Sequence, residues 1–150
     1  MNGPARGEIE DLVYSYAERL DTGDLSGVAE LFAHATITVE GFDHVARGRD
    51  EVFEMYASGA RLYPDQGTPK TKHLMTNLIV SVDEAADQAS CRSYFTVLQA
   101  VSGRLPLQPI IAGRYRSEFE RVGGSWRFRT MHIIWDLVGD LSAHLIDSEE

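Results

Sequence analysis

The chain changes character at TKHLMTNLIVSV, residues 71–82, where helical spacing gives way to alternating apolar side chains. Such alternation is typical of a β-strand with one buried face. It predicts that His73 and Asn77 project from the same face of the strand. An imidazole in so apolar a strand has two explanations. Either its nitrogens are hydrogen-bonded to neighbours in a half-buried sheet, or it is a general base that reaches into a pocket.

Three helices are expected before this strand. Residues 8–24 carry one apolar stripe at helical spacing, and a short second helix capped by Asp24 follows. A strand at 35–42 leads to a third helix at 48–63, with Asp50 as its expected N-cap. That helix is expected to bury Val52, Phe53, Tyr56 and Ala60.

Long strands are expected after the helices. The alternation continues through residues 88–101, 110–122 and 126–138, which together with 71–82 predict a four-stranded antiparallel meander. Helices first and strands afterwards define an α+β fold. No linker or repeat divides the chain, so residues 1–150 are expected to form one domain.

Composition limits the classes of function. The chain has 23 acidic against 14 basic residues and a formal charge of −9, which argues against a nucleic-acid partner. It has no apolar run of membrane-spanning length and no apolar stretch at its N-terminus, so a cytoplasmic protein without membrane contact is expected. Cys91 is the single cysteine, which excludes an intramolecular disulfide. No His/Glu cluster has metal-ligand spacing, so neither a metal nor another cofactor is expected.

Four segments in order carry a family resemblance: YAERLDTGDLSGVAELFA, HLMTNLIV, GRYRSEFERVGGSWRFRTMHIIWD and GDLSAHL. This order resembles the SnoaL-like branch of the NTF2-like superfamily over nearly the whole chain. The resemblance implies a curved antiparallel sheet that forms a cone, helices that close one side, and an apolar pocket inside. It also implies a homodimer or homotrimer.

One pair of positions carries the resemblance to particular enzymes. Scytalone dehydratase and the hexachlorocyclohexane dehydrochlorinase have an Asp at the end of the first helix and a His at the start of the first long strand, and Asp21 and His73 match them. The match implies that the carboxylate orients the imidazole, which takes a proton from a substrate carbon. On an ideal helix Asp21 falls about 110° from the middle of the apolar stripe. Asp21 can therefore either line a pocket or hydrogen-bond the backbone of the turn that follows the helix.

Further residues are candidates for substrate contact, each with a structural alternative. His132 is more simply explained as a satisfied sheet histidine, and Asn77 is either a hydrogen-bond donor or a sheet-edge residue. Ketosteroid isomerase offers a rival resemblance through Tyr16 and Glu40, but residues 92–98 lack the carboxylate that its oxyanion hole would need. The full set of candidates is Tyr16, Glu40, Phe53, Met75, Asn77, Phe95, His132 and Trp135.

Two functions remain open at this point. The first is a cofactor-independent lyase or isomerase, of dehydratase, elimination or cyclase type, acting on a small, largely apolar or polyketide-like substrate. The second is a non-catalytic ligand-binding or assembly module of the same superfamily.

The C-terminal segment provides the last expectation. Leu137, Leu141 and Leu145 recur at near-helical spacing, which predicts a short helix. Residues 137–146 are expected to cover the pocket mouth or a subunit interface, and a fixed cap is favoured over a moving lid.

Overall fold

The computed structural model describes residues 3–146 and has three helices packed against one curved sheet. This confirms the α+β class. No helix in the described part of the chain is long and apolar enough to cross a membrane. The elements are α1 Gly3–Asp21, α2 Leu25–Leu31, β1 Thr36–Val39, β2 Val45–Arg47, α3 Gly48–Gly59, β3 Thr71–Asp83, β4 Gln88–Val101, β5 Leu105–Val122 and β6 Ser125–Val138.

The sheet has six strands in the order β2-β1-β6-β5-β4-β3. Strands β3 to β6 form the expected antiparallel meander, but β1 pairs with β6 in parallel, so the sheet is mixed. The four-stranded meander is therefore confirmed and the strand expected at 35–42 is β1, but β2 and the parallel pairing of β1 with β6 were not predicted. Strand β2 has only three residues, too few to show an alternation, and nothing local in β1 indicates its distant partner β6.

Helix α1 buries the predicted stripe against the sheet. Ile9, Val13, Tyr16 and Leu20 are all buried, because apolar residues at this spacing share one face. The helix ends before Gly23, whose φ of +76° favours glycine and whose added Cβ would lie 2.0 Å from a backbone oxygen.

The two shorter helices differ in their capping. The side chain of Asp24 accepts a hydrogen bond from the Gly27 N–H at 2.9 Å, which confirms it as the cap of α2. The prediction of Asp50 as the cap of α3 is wrong, because that helix begins at Gly48 and Asp50 lies in its first turn. The predicted burial of Phe53 is also wrong, since this side chain is 39% exposed.

Single-residue bulges in β3 and β6 change the faces on which side chains lie. Asn77 has a φ of +56° at a register shift in β3, so Leu78 and not Asn77 continues the inner face begun by His73. A second shift leaves Arg129 unpaired in β6 and turns His132 to the outer face. A bulge of one residue has no strong signal in an otherwise alternating sequence.

Aromatic rings fill the space between the helices and the inner face of the sheet. Phe32 stacks on Phe128 at 4.5 Å between ring centroids, and Phe119 contacts the same ring at 4.7 Å. Tyr115 stacks on Phe95 at 4.4 Å. This packing holds α1 and α2 on the sheet, and burial of such rings is among the largest contributions that single side chains make to stability.

Gly113 is a point of close approach between β5 and its neighbours. A Cβ there would lie 2.0 Å from the Ile134 carbonyl oxygen and 2.9 Å from the Phe95 ring. Gly113→Ala is therefore expected to lower the free energy of unfolding by about 3 kcal/mol, measured by urea denaturation. Gly7→Ala is the control, because its Cβ meets nothing within 4 Å on α1, and it should leave the protein as stable or more so. Equal stability of the two variants would contradict the close approach.

Candidate active site

A cavity of about 200 Å³ lies between the helices and the inner face of the sheet. Its wall is mostly apolar, which favours a ligand with little polar surface. Six side chains with polar groups interrupt this wall: Tyr16, Tyr56, His73, Tyr115, Trp135 and His144.

Asp21 and His73 form a hydrogen-bonded pair at this wall. Strand β3 is at the edge of the sheet, and the His73 N–H donates to Asp21 Oδ2 at 2.8 Å instead of to another strand. Asp21 Oδ1 lies 2.6 Å from His73 Nδ1 and accepts a further bond from the Thr71 hydroxyl at 2.8 Å. The two side chains are 9% and 8% exposed. The end of α1 and the start of β3 thus fix the imidazole in one orientation.

The environment of Asp21 keeps its carboxyl ionised. Burial alone would raise its pKa, but the hydrogen bonds and charge of His73, with the Thr71 hydroxyl, lower the pKa overall. An ionised carboxylate can only accept, so His73 Nδ1 is the donor, and in the neutral form of the ring Nε2 carries the lone pair. Nε2 has no hydrogen-bond partner among residues 3–146, and the side chain lines the cavity.

Two tyrosine hydroxyls meet on another part of the wall. Tyr16 on α1 and Tyr56 on α3 have their oxygens 2.5 Å apart. Burial is the main cause that raises the pKa of both and of the neighbouring Tyr115, so all three remain protonated. The Tyr115 hydroxyl also interacts with that of Tyr16, so three hydroxyls with three protons share two hydrogen bonds, which leaves one O–H of the three for a ligand.

The C-terminal segment closes one side of the cavity. Leu141, His144 and Leu145 line it, but the segment is a series of turns, so the predicted short helix is wrong. The position at the cavity agrees with the expected pocket cover. The exposed Leu137 lies apart from it, residues 147–150 lie outside the described residues, and a role in a subunit interface stays a prediction.

Hydrogen bonds hold this segment in place. The Ala143 carbonyl accepts from the Tyr63 hydroxyl at 2.5 Å and from Gln99 Nε2 at 3.2 Å. The Arg61 N–H donates to the carbonyl of His144 at 2.8 Å. These three hydrogen bonds come from different parts of the chain, and they favour a fixed cap rather than a moving lid.

His144 is neutral at physiological pH. Burial first, and then the charge of His73, lower its pKa from 6.5 to about 4. Its Nδ1 is enclosed and has no hydrogen-bond partner in the described part of the chain. The cavity therefore contains a second, uncharged imidazole.

The lowered pKa of His144 makes stability depend on pH. The unfolded chain binds a proton at His144 below about pH 6.5 and the folded chain only below about pH 4, so stability is lost as the pH falls through this window. Compared with His144→Gln, the wild type should lose about 2 kcal/mol more between pH 7 and pH 5, measured by urea denaturation. Leu145→Ala should lower stability by similar amounts at both pH values. The same pH dependence in wild type and His144→Gln would contradict a neutral His144.

The structure brings some of the candidate contacts to the cavity. Tyr16, Phe95 and Trp135 line it, and Met75 lines a small adjoining cavity beside Tyr16. Asn77 and Phe53 are exposed and lie outside the lining, because of the β3 bulge and the outward face of α3.

Glu40 and His132 also lie away from the cavity, and their assignment as substrate contacts is corrected. His132 Nδ1 lies 2.7 Å from the Thr38 hydroxyl, and Nε2 lies 2.5 Å from Glu40 Oε2. The hydrogen bond from His132 lowers the pKa of Glu40, whose side chain is exposed. His132 is therefore a satisfied sheet histidine on the outer face, which was the simpler of the two interpretations.

Three polar groups of the cavity were not among the candidates. The alternation Ile111, Gly113, Tyr115 indicates the inner face and could have revealed Tyr115. Tyr56 was expected only as a core residue. His144 has no signal of its own, because the segment around it is irregular.

Within residues 3–146 no group of three or more His, Cys, Asp or Glu side chains could hold a metal ion.

Comparison with known proteins gives one family match over most of the chain. A model of the SnoaL-like domain matches residues 4–132. No curated protein matches the sequence.

Solved structures show the same fold at low sequence identity. An NTF2-like protein with a cystatin-like fold from Novosphingobium aromaticivorans superposes with a TM-score of 0.72 at 24% identity, over 92% of this chain and 85% of that chain. A scytalone dehydratase-like protein from the same organism gives 0.73 at 20% identity, over 93% and 89%. LinA gives 0.70 at 20% identity, over 93% and 90%. These likenesses establish the NTF2-like fold.

Proposed function

Since the chain belongs to the SnoaL-like domain family, we propose that it is a cofactor-independent lyase or isomerase that removes a proton from a carbon acid. The observation that carries the proposal is the Asp21–His73 pair, with 2.6 Å between Oδ1 and Nδ1 and with Nε2 unpartnered at the cavity. A base held in one tautomer within an apolar site is what such chemistry requires.

In this proposal His73 is the base and Asp21 positions it. Nε2 takes the proton from the carbon, which converts the imidazole to an imidazolium. The adjacent carboxylate stabilises that charge, and its lowered pKa keeps it from taking the proton itself. The apolar wall excludes water that would otherwise solvate the base and weaken these interactions.

The tyrosine pair supplies the second half of the chemistry. Removal of a proton next to a carbonyl places negative charge on the oxygen, and a fixed donor stabilises that charge. The O–H that the hydroxyls of Tyr16, Tyr56 and Tyr115 leave free is suited to this, since their raised pKa values keep all three hydroxyls protonated. Elimination of a neighbouring leaving group or reprotonation at another carbon then completes a lyase or an isomerase reaction.

The cavity favours a small, mostly apolar substrate. Aromatic and aliphatic side chains such as Phe95, Val97 and Trp135 form most of its wall. A cyclic or polyketide-like ketone satisfies both the apolar wall and the few polar groups. The scytalone dehydratase-like protein that shares the fold is in keeping with a dehydration.

The proposal is tested with a panel of small cyclic ketones and β-hydroxy ketones, whose products are followed by mass spectrometry. A dehydrated or isomerised product that forms with the wild type, and not with His73→Ala, is the expected result. Ligands that bind to both proteins and return unchanged from both would indicate a non-catalytic binding module instead.

A further inference from the structure

His144 is a polar group of the cavity that the proposed proton transfer does not use. Its backbone is fixed, because its own carbonyl accepts from the Arg61 N–H and the preceding carbonyl accepts from Tyr63 and Gln99. The imidazole therefore reaches the cavity wall at a set position. A polar side chain held in an apolar wall costs stability unless a partner satisfies it.

The two ring nitrogens of His144 have different surroundings. Nδ1 is enclosed and has no partner within residues 3–146, so an N–H there would be an unsatisfied buried donor. The neutral imidazole is therefore expected to carry its proton on Nε2. Nε2 also lacks a partner among the described residues, but it is not among the enclosed atoms and can still reach a ligand.

The neutral state of His144 suits a place beside His73. Burial and the charge of His73 keep the pKa of His144 at about 4, so His144 stays uncharged when His73 takes up a proton. A neutral imidazole N–H can donate a hydrogen bond to a carbonyl or hydroxyl oxygen, and it offers little to a hydrocarbon or a halogen.

We infer that His144 contacts the ligand directly and donates a hydrogen bond from Nε2 to an oxygen substituent. The substrate class is then an oxygenated, otherwise apolar ring compound. That the ligand is the substrate rests on the proposed function, whereas the contact itself does not.

The test compares two probes that differ by one oxygen, α-tetralone and its hydrocarbon counterpart tetralin, by NMR titration. His144→Leu should weaken the binding of α-tetralone about tenfold and leave that of tetralin equal or tighter. Leu145→Ala, on the same segment, should weaken both probes by similar factors. An unchanged ratio of the two affinities in His144→Leu would overturn the inference, as would binding of tetralin without binding of α-tetralone to the wild type.

A second readout needs no ligand. NMR of the imidazole nitrogens should show His144 neutral, with its proton on Nε2, at both pH 7 and pH 5. A proton on Nδ1, or a charged ring at pH 7, would overturn the inference even if neither probe binds.

The two proposals fail in different ways. Loss of the affinity difference in His144→Leu, with no turnover of any ketone, would leave the contact standing and remove the proposed enzyme. Turnover that depends on His73, with an unchanged ratio of the α-tetralone and tetralin affinities in His144→Leu, would support the proposed enzyme and overturn the His144 contact.

Discussion

Replacing His73 by alanine is expected to lower turnover by about 10²-fold or more, because the proton would lose its acceptor at the cavity wall. The rate of product formation on a verified substrate gives the measurement. Substrate affinity should change far less than turnover, since a base acts on the transition state more than on the bound substrate.

Asp21→Asn should have an effect of similar size for a different reason. Asparagine keeps the shape of the side chain but can donate to Nδ1, which would place the proton of His73 on Nε2 and remove the free lone pair. Because the two residues act as one unit, the double variant should be little slower than the slower single variant.

His132→Ala is the matched control for this pair. His132 is also a strand histidine beside a carboxylate, with Nε2 2.5 Å from Glu40, but it lies on the outer face of the sheet. Turnover should therefore stay close to the wild-type value. Loss of activity in His132→Ala, with full activity in His73→Ala, would indicate that the base lies beside Glu40 on the outer face of the sheet, which would contradict the proposed site.

Tyr56→Phe is expected to lower kcat by about 10²-fold, because it removes one hydroxyl of the pair that would stabilise the developing oxyanion. KM should change little, since the charge exists only in the transition state. Tyr94→Phe is the control, because Tyr94 is 54% exposed and outside the cavity lining. A raised KM with an unchanged kcat in Tyr56→Phe would show that the hydroxyl pair only holds the substrate.

The sequence predicted the elements whose periodicity is long and regular. The stripe of α1 and the strands of the meander were correct, because each repeats its signal over many residues. The parallel pairing of β1 with β6 was missed, because it joins segments more than 90 residues apart and depends on packing. Asn77 was placed on the wrong face, and His132 was included among the candidate contacts, for another reason. One extra residue at a bulge reverses every side chain that follows in the strand.

The site was predicted unevenly. The spacing of Asp21 and His73 alone gave no distance between them, and their pairing followed from the family resemblance. Tyr16 became a candidate through the rival resemblance to ketosteroid isomerase. Tyr56 was expected in the core and also lines the cavity. His144 could not have been predicted as a pocket residue by periodicity, because hydrogen bonds from distant residues shape its segment.

Deuterium uptake from D₂O at the carbon next to the carbonyl of a bound cyclic ketone tests the central claim most directly. It reports removal of the proton from carbon whether or not a later elimination follows. The account predicts uptake with the wild type that falls about 10²-fold in His73→Ala and is unchanged in His132→Ala. Equal uptake with the wild type and His73→Ala, for a ketone shown to occupy the cavity in both, would contradict the claim that His73 is the base.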